Sequence, residues 1–327
     1  MPTLPIDIND LWNLPKDQFL STSKKVFDWQ VQNNTVYHEW VKLLHTQQPN
    51  PNSVQAIPFL PISFFKTHDV FIGEKPATLF ESSGTTQDVV SKHWVNDTLI
   101  YEQSFLNCFN LFYGDPSQYC IIGLLPSYLE RKHSSLVYMV DQLIQKSNHP
   151  NSGFYLDDFD SLDKVLKNME QQKQKVWLIG VSFALIDFVA GYPQKLNHTI
   201  VVETGGMKGR KVELTKMELH DILGKGFGVD KIHSEYGMTE LLSQAYSHGN
   251  GLFSCPPWMK VLVSDEDDPT DLKPEGRGIL HIIDLANLYS CSFIATQDLG
   301  EIDAEGRFQV LGRVDASDRR GCSLLVV

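Results

Sequence analysis

Cysteine is scarce and unpaired in this 327-residue chain. Its five cysteines, Cys108, Cys120, Cys255, Cys291 and Cys322, form no CxxC pair and are odd in number. No disulfide framework follows from that spacing, and the simplest account is a cytoplasmic protein with reduced thiols. No HxxxH or Cys/His cluster has metal-ligand spacing, so no structural zinc is expected. Basic charge is also short: 28 Lys and Arg stand against 40 Asp and Glu, a formal net charge of −12. A surface of that sign argues against nucleic acid as a partner, and any phosphate must be held by a local site. Long apolar runs are missing. The longest, VWLIGVSFALI at 176–186, falls well short of the roughly 20 residues that cross a bilayer, so no membrane span is expected. The opening MPTLPIDINDLW has no basic segment followed by an apolar one, which argues against a secretory signal. Repeats, low-complexity tracts and clean linkers are absent as well.

What remains is an ordinary globular composition, 42% hydrophobic and 21% charged. PKDQFLSTSKKVFDW is amphipathic, and 34–47 sets Val36, Tyr37, Trp40, Val41 and Leu44 on one helical face, so residues 1–66 read as a helical N-terminal region. IPFLPISFFK at 57–66 is apolar but interrupted by proline, which predicts an extended segment packed on the core. From 67 to 250 short apolar runs such as YCIIGLLP, KVWLIGVS, HTIVVETGG and KIHSEYG alternate with helical ones such as NDTLIYEQSFLNCFNLFYG and ELTKMELHDIL. That alternation predicts a largely parallel sheet covered on both faces, with ligands held by loops at the carboxyl ends of its strands. After 250, WMKVLVS, GRGILHIID and GRFQVLG predict a small antiparallel β subdomain over 251–327. The whole reads as one body with three regions.

Four strings carry chemistry. ESSGTTQ at 81–87 is a turn of small and hydroxylated residues after a strand, able to bring backbone N–H groups and hydroxyls to an anion; it lacks the lysine of a P-loop. SEYGMTE at 234–240 sets an aromatic ring, a glycine, a hydroxyl and a carboxylate within five residues. TQDLGE at 296–301 and LGRVD at 311–315 follow. Singly, each has a plain reading: a solvent loop, a buried tyrosine beside a capping Thr/Glu, a turn aspartate, a surface ion pair. Their order and separations together form a pattern.

That pattern resembles the adenylate-forming superfamily of acyl-CoA synthetases, luciferases and phenylacetate–CoA ligases. More narrowly, LLPSYLERKHSSLVYMV, VVETGGMKGRK, SEYGMTEL and GRVDASDRRGCSLLV resemble the acyl-protein synthetase family, the fatty-acid activating component of bacterial bioluminescence fatty-acid reductase. The resemblance runs from about residue 57 to the end. It implies an α/β adenylate-forming large domain with largely parallel sheets, a helical N-terminus and a small β subdomain, in which 67–250 is the nucleotide-binding core. It also implies ATP and Mg²⁺, a carboxylic acid substrate, most simply a fatty acid, and an acyl-accepting partner protein such as an acyl reductase or carrier. Ser82, Ser83, Gly84, Thr85 and Thr86 would hold the β- and γ-phosphates. Gly205 and Gly206 would form a flat edge against adenine and Tyr236, followed by Gly237, would stack on it. Thr239 would touch the α-phosphate, Glu240 would bind Mg²⁺, Asp298 would hold the ribose hydroxyls, and Arg313 would add a cation.

The chain departs from the superfamily pattern in two places. Gln87 and Val90 stand where glycine and lysine are expected, leaving Lys92, His93, Lys208, Arg210 and Lys211 as other cations within reach. The sequence also stops 14 residues after Arg313, so the usual C-terminal lid domain is expected to be lacking. Near that end lies Cys322, preceded by Arg319 and Arg320, which favour the nucleophilic thiolate. The similar acyl-protein synthetases are acylated on a cysteine near the C-terminus, which points to Cys322; a small core residue in an edge strand is the other reading. His133 reads as a channel residue or as a helix-capping or surface one, and at least one of His233 and Glu235 is expected to face a cleft. Phe105, Phe109, Tyr128, Tyr138 and Phe183 offer apolar surface for an acyl chain or are plain core. Two alternatives stay open: an aryl- or acyl-CoA ligase working with a separate lid subunit, and a nucleotide- or acyl-binding module without turnover.

Overall fold

A computed structural model describes residues 2–44, 50–82, 89–125, 133–205, 214–265 and 268–314. In chain order come helices α1 (Ile8–Leu11), α2 (Phe19–Asn33) and α3 (Thr35–Leu44), strand β1 (Leu60–Pro61), α4 (Phe64–Thr67), and strands β2 (Thr78–Glu81) and β3 (Lys92–Val95). The middle alternates: α5 (Thr98–Tyr113), β4 (Cys120–Leu124), α6 (Ser135–Ser147), β5 (Gly153–Phe154), α7 (Phe159–Gln172), β6 (Val176–Val181), α8 (Ser182–Gly191), β7 (Thr199–Thr204), α9 (Lys216–Phe227), β8 (His233–Tyr236) and β9 (Ala245–Ser247). Strands β10 (Met259–Ser264), β11 (Leu272–Lys273), β12 (Gly276–Asp284), β13 (Phe293–Ile302) and β14 (Phe308–Arg313) follow. The chain divides into two units: residues 2–79, 89–97 and 257–314 form one, and 80–82 with 98–256 the other. Among the described residues, no helix is long and apolar enough to cross a membrane.

The second unit is the α/β part. Its sheet runs β5-β4-β6-β7-β8-β9, parallel from β5 through β8 and antiparallel only at β9. β4 and β6 are buried at nearly every position because helices cover both faces, which is why CIIGL and VWLIGV are continuous apolar runs rather than alternating ones. On one face, Leu162, Leu166 and Met169 of α7, Leu185 and Phe188 of α8, and Leu219, Leu223 and Phe227 of α9 close over β4, β6 and β7. On the other, Phe109 and Tyr113 of α5 pack on Trp177 at 5.2 and 5.7 Å. Each side chain buried this way contributes about 1.5–3 kcal/mol. Phe105 and Phe109 are fully buried in that layer, so of their two sequence readings the plain-core one holds.

The first unit is β-rich. β10, β12 and β13 pair antiparallel, β11 extends one edge, and β14 pairs with β13. The expectation of a purely antiparallel C-terminal sheet needs one amendment: β1 joins it, parallel to β13 through Leu60–Ile294 and Pro61–Ala295. A proline-bearing segment can pair there because it sits at a sheet edge and is only two residues long. Phe64–Thr67 then turns into a short helix, where an extended run was expected. Helices α2 and α3 pack by Phe27 and Tyr37, each about 6 Å from Phe293. On α3, Tyr37 and Val41 are buried as the periodicity predicts, but Leu44 is 43% exposed at the helix end. Buried Gln30 donates to the carbonyls of Asn287 and Leu288 and accepts from Ser292 N–H, satisfying the loop before β13.

His93 is one correction. It is fully buried, 3.1 Å from Asn287 Oδ1 and edge-on to Phe65, so it is a core side chain and is not open to a ligand. Alternation along β3 leaves only its neighbour Lys92 exposed.

Candidate functional site

Parallel strands β7 and β8 pair from Val202–His233 to Thr204–Glu235. One residue past that last pair come Gly205 on one strand and Tyr236 on the other, so two residues 31 apart in sequence meet at the carboxyl edge of the sheet. This is where parallel α/β sheets hold ligands. Gly205 has φ +71°, a left-handed conformation that side chains rarely adopt, and a Cβ built there would meet nothing within 4 Å among the described residues beyond its chain neighbours. The backbone thus presents an open edge. Ser182, the first residue of α8, fixes it by donating its hydroxyl to the Gly205 carbonyl at 2.8 Å.

Below this edge lies a buried polar cluster. Glu203, two residues before Gly205, is fully buried. Lys216 Nζ donates to its Oε1 at 2.5 Å, His220 Nε2 lies 3.4 Å from the same oxygen, and Ser182 Oγ lies 3.3 Å from Oε2. Burial opposes ionisation, but His220, Lys216 and Ser234 outweigh it and hold the carboxyl below its ordinary range. Lys216 and His220 reach one acid because they stand four apart on α9. A capping box starts that helix: the Thr215 hydroxyl accepts from Glu218 N–H, and the Glu218 carboxylate accepts from Thr215 N–H.

The opposite alternation carries Glu235. Its Oε2 accepts a hydrogen bond from Thr204 Oγ1, and its Oε1 lies 2.5 Å from where a Cβ on Gly237 would stand. Burial pushes this carboxyl up to about 7, Glu203 adds to the rise, and Thr204 and Lys216 oppose it. His233, at the other end of β8, does not join the edge: it stacks 4.9 Å from His248 and lies 3.3 Å from the Tyr113 hydroxyl. Burial, with the charges of His248, Lys231 and His220, takes it down to about 4, so it is neutral. Tyr236 is half-buried 5.8 Å from Phe253, and Lys216 Nζ lies 5.7 Å from the centroid of the Phe253 ring. Half-buried Thr239 and buried Glu240 occupy the turn that follows. His133 is exposed, and its carbonyl accepts from Glu81 N–H, next to Ser82.

In the first unit, Asp298 and Arg313 are direct partners in the β13–β14 register. Asp298 N–H donates to Thr296 Oγ1 at 3.0 Å, and exposed Arg313 donates to Gln297 Oε1 at 3.4 Å. A pocket of about 230 Å³ in this unit is lined by Thr296 and Gln297 but not by Asp298, with Ser264 and His281 at its wall. His281 is 2% exposed and bonds Ser264 Oγ through Nε2 at 3.0 Å. Of the residues singled out in the sequence, Ser83, Gly84, Thr85, Thr86, Gly206 and Cys322 lie outside the described residues, as do Lys208, Arg210, Lys211 and Tyr128.

Sequence reasoning missed Glu203, Lys216 and His220. The signal was a carboxylate inside the apolar run IVVET, which needs a partner once buried, and two basic residues at i, i+4 on the next helix.

No known protein family matches this sequence, and no curated protein does. Solved structures match the architecture. ATP-bound MatB from Rhodopseudomonas palustris superposes with TM-score 0.56 at 15% identity, covering 74% of this chain and 49% of MatB. An open conformation of 2-hydroxyisobutyryl-CoA ligase, in complex with 2-HIB-AMP and CoA, superposes with TM-score 0.66 at 12% identity, over 94% of this chain and 78% of the ligase. The fold is that of the adenylate-forming ligases. A long-chain-fatty-acid–CoA ligase from Archaeoglobus fulgidus agrees, with TM-score 0.53, 16% identity, and 74% and 52% coverage. The chain spans about half the length of MatB and of the Archaeoglobus enzyme. Identities this low carry the architecture and leave the chemistry to the residues themselves.

Proposed function

We propose that this chain activates a carboxylic acid, most simply a fatty acid, by ATP-dependent adenylation and then passes the acyl group to a thiol. The observation that carries the reading is the meeting of Gly205 and Tyr236 at neighbouring strand ends of an adenylate-forming fold, an open glycine edge beside an aromatic ring. Open space where a Gly205 side chain would be suits a flat base, and Tyr236 would stack on that base. Asp298 would accept from the ribose hydroxyls, with Arg313 as a nearby cation; the 82–86 turn would hold phosphates, and Thr239 the α-phosphate. In the reaction, a carboxylate oxygen bonds to the α-phosphorus, the α–β bridging P–O bond breaks, and pyrophosphate leaves with the electron pair.

Glu240 is the carboxylate this reading gives to magnesium. One carboxylate completed by phosphate and water oxygens suits an ion that dehydrates reluctantly. When bound, magnesium offsets the negative charge that gathers on the phosphates. Cys322 is the proposed first acceptor: its thiolate attacks the acyl carbonyl, a thioester forms and AMP leaves. A partner protein such as an acyl reductase or carrier would take the acyl group next.

ATP–pyrophosphate exchange over a panel of carboxylic acids tests the first step. Exchange driven by fatty acids supports this reading, exchange by aryl acids alone redirects it to an aryl-CoA ligase, and nucleotide binding without exchange reduces it to a binding module. Intact mass after incubation with ATP and myristate tests the second step. An acyl adduct that persists in Cys322→Ser, or no adduct in the wild type, removes Cys322 from the scheme.

A further inference from the structure

We propose that Glu235 is a positioning residue of this nucleotide site: bridging Thr204 and the Gly237 turn, it holds the carboxyl ends of β7 and β8 together and sets the slot between Gly205 and Tyr236. The inference rests on the nucleotide reading above. Thr204 and Glu235 are the last paired residues before the two strands give way to Gly205 and Tyr236. Their side chains lie on one face of the sheet, and the Thr204 hydroxyl donates to Glu235 Oε2. The second carboxyl oxygen is pressed against the turn after β8, since a Cβ on Gly237 would come within 2.5 Å of it. One side chain therefore touches the strand that carries Gly205 and the turn that follows Tyr236. Only 8% of Glu235 is exposed, so water does not compete for these contacts.

Among the described residues, the charged and titratable groups facing Glu235 are these four. Glu203 on β7 is ionised by its own partners and repels a second charge; Lys216 on α9 attracts one; Tyr113 of α5 and Tyr246 of β9 are phenols pushed well up by burial and stay neutral. With its carboxyl raised to about 7, Glu235 exchanges between neutral and charged forms near physiological pH. A bound polyanion favours the neutral form, and by linkage the neutral form favours the polyanion. Nucleotide affinity should therefore weaken as pH rises through 7.

The test is ATP titration by calorimetry of the full chain between pH 6 and 8.5, with Glu235→Gln, Glu235→Ala and Thr204→Val. Glutamine keeps an acceptor for Thr204 and the same bulk, so it should bind within about twofold of wild type at pH 6 and lose the limb near 7. Alanine and Thr204→Val should each weaken binding about tenfold, the loss of one buried hydrogen bond, and together no more than either alone. Hydrogen exchange of the free protein should show 204–205 and 236–238 opening in both weakened variants. Wild-type affinity retained by Glu235→Ala, or an unchanged pH limb in Glu235→Gln, overturns the proposal while leaving the nucleotide site standing. No ATP binding by the wild type overturns the nucleotide reading and the slot built on it; opening of 204–205 and 236–238 in Glu235→Ala by hydrogen exchange then still supports the tie between the strand ends, and unchanged exchange there overturns it.

Discussion

Gly237→Ala should be costly for a reason that a second substitution can isolate. Gly237 does not need glycine for its backbone, which lies outside the left-handed region. The constraint is space. A Cβ there would stand 2.5 Å from Glu235 Oε1, while ordinary contact begins at 3.4 Å, so the carboxyl must retreat by about 0.9 Å. It has little room, because Thr204 holds its other oxygen and Gln244 Cγ stands 3.7 Å from the same point. Losing the Thr204 bond costs about 1 kcal/mol and overpacking about 1–3, so the substitution should destabilise by about 2–4 kcal/mol. In a Glu235→Ala background the obstacle is gone. The same change should then be neutral, or stabilising by about 0.4–1 kcal/mol through reduced freedom of the unfolded chain. The cycle should yield a coupling of about 2–5 kcal/mol, read from urea unfolding of the four proteins. Additivity within about 0.5 kcal/mol would show that Glu235 does not press on this turn.

Lys216→Met should destabilise by about 2 kcal/mol, less than a fully buried pair would lose because its side chain is 36% exposed and His220 remains beside Glu203. Adding Glu203→Gln should restore most of that loss in the same unfolding assay. His281 is driven down from 6.5 to about 4 by burial, so the unfolded state binds the extra proton between those values. The stability of its neutral form is full above pH 6.5 and lost as pH falls towards 4, by about 3 kcal/mol at 1.36 kcal/mol per unit. Unfolding free energies of wild type and His281→Gln should diverge across that window and run parallel above it. Tyr236→Ala should raise KM for ATP about tenfold in pyrophosphate exchange if the ring stacks on a base, and an unchanged KM would remove Tyr236 from the nucleotide site.

The elements were legible where one local rule decided them. The run at 176–181 is unbroken because helices cover both sides of β6, and the amphipathic stretch PKDQFLSTSKKVFDW runs into α2 (Phe19–Asn33), with Val26 and Phe27 fully buried. Illegible features came from distant pairings. Leu60 meets Ile294 across most of the chain, and no periodicity in IPFLPISFFK announces it. His93 looked available because it follows a glycine-rich turn, yet strand alternation sends it inward to Asn287. The candidate site divides the same way. SEYG was readable for the position of its tyrosine, which stands at the end of β8 as the strand pattern implies. Glu235 was readable only as one of two residues of uncertain direction, because the sequence does not say which face of β8 meets Thr204. Register settles that direction: Ser234 pairs with Glu203 on the side of Lys216 and His220, so Glu235 must turn to the other side with Thr204. Two acids on adjacent strands thus diverge into opposite environments, one held charged by bases and one pushed towards neutrality by burial, and under the proposed function that division is what would make Glu235 respond to an anion at the edge.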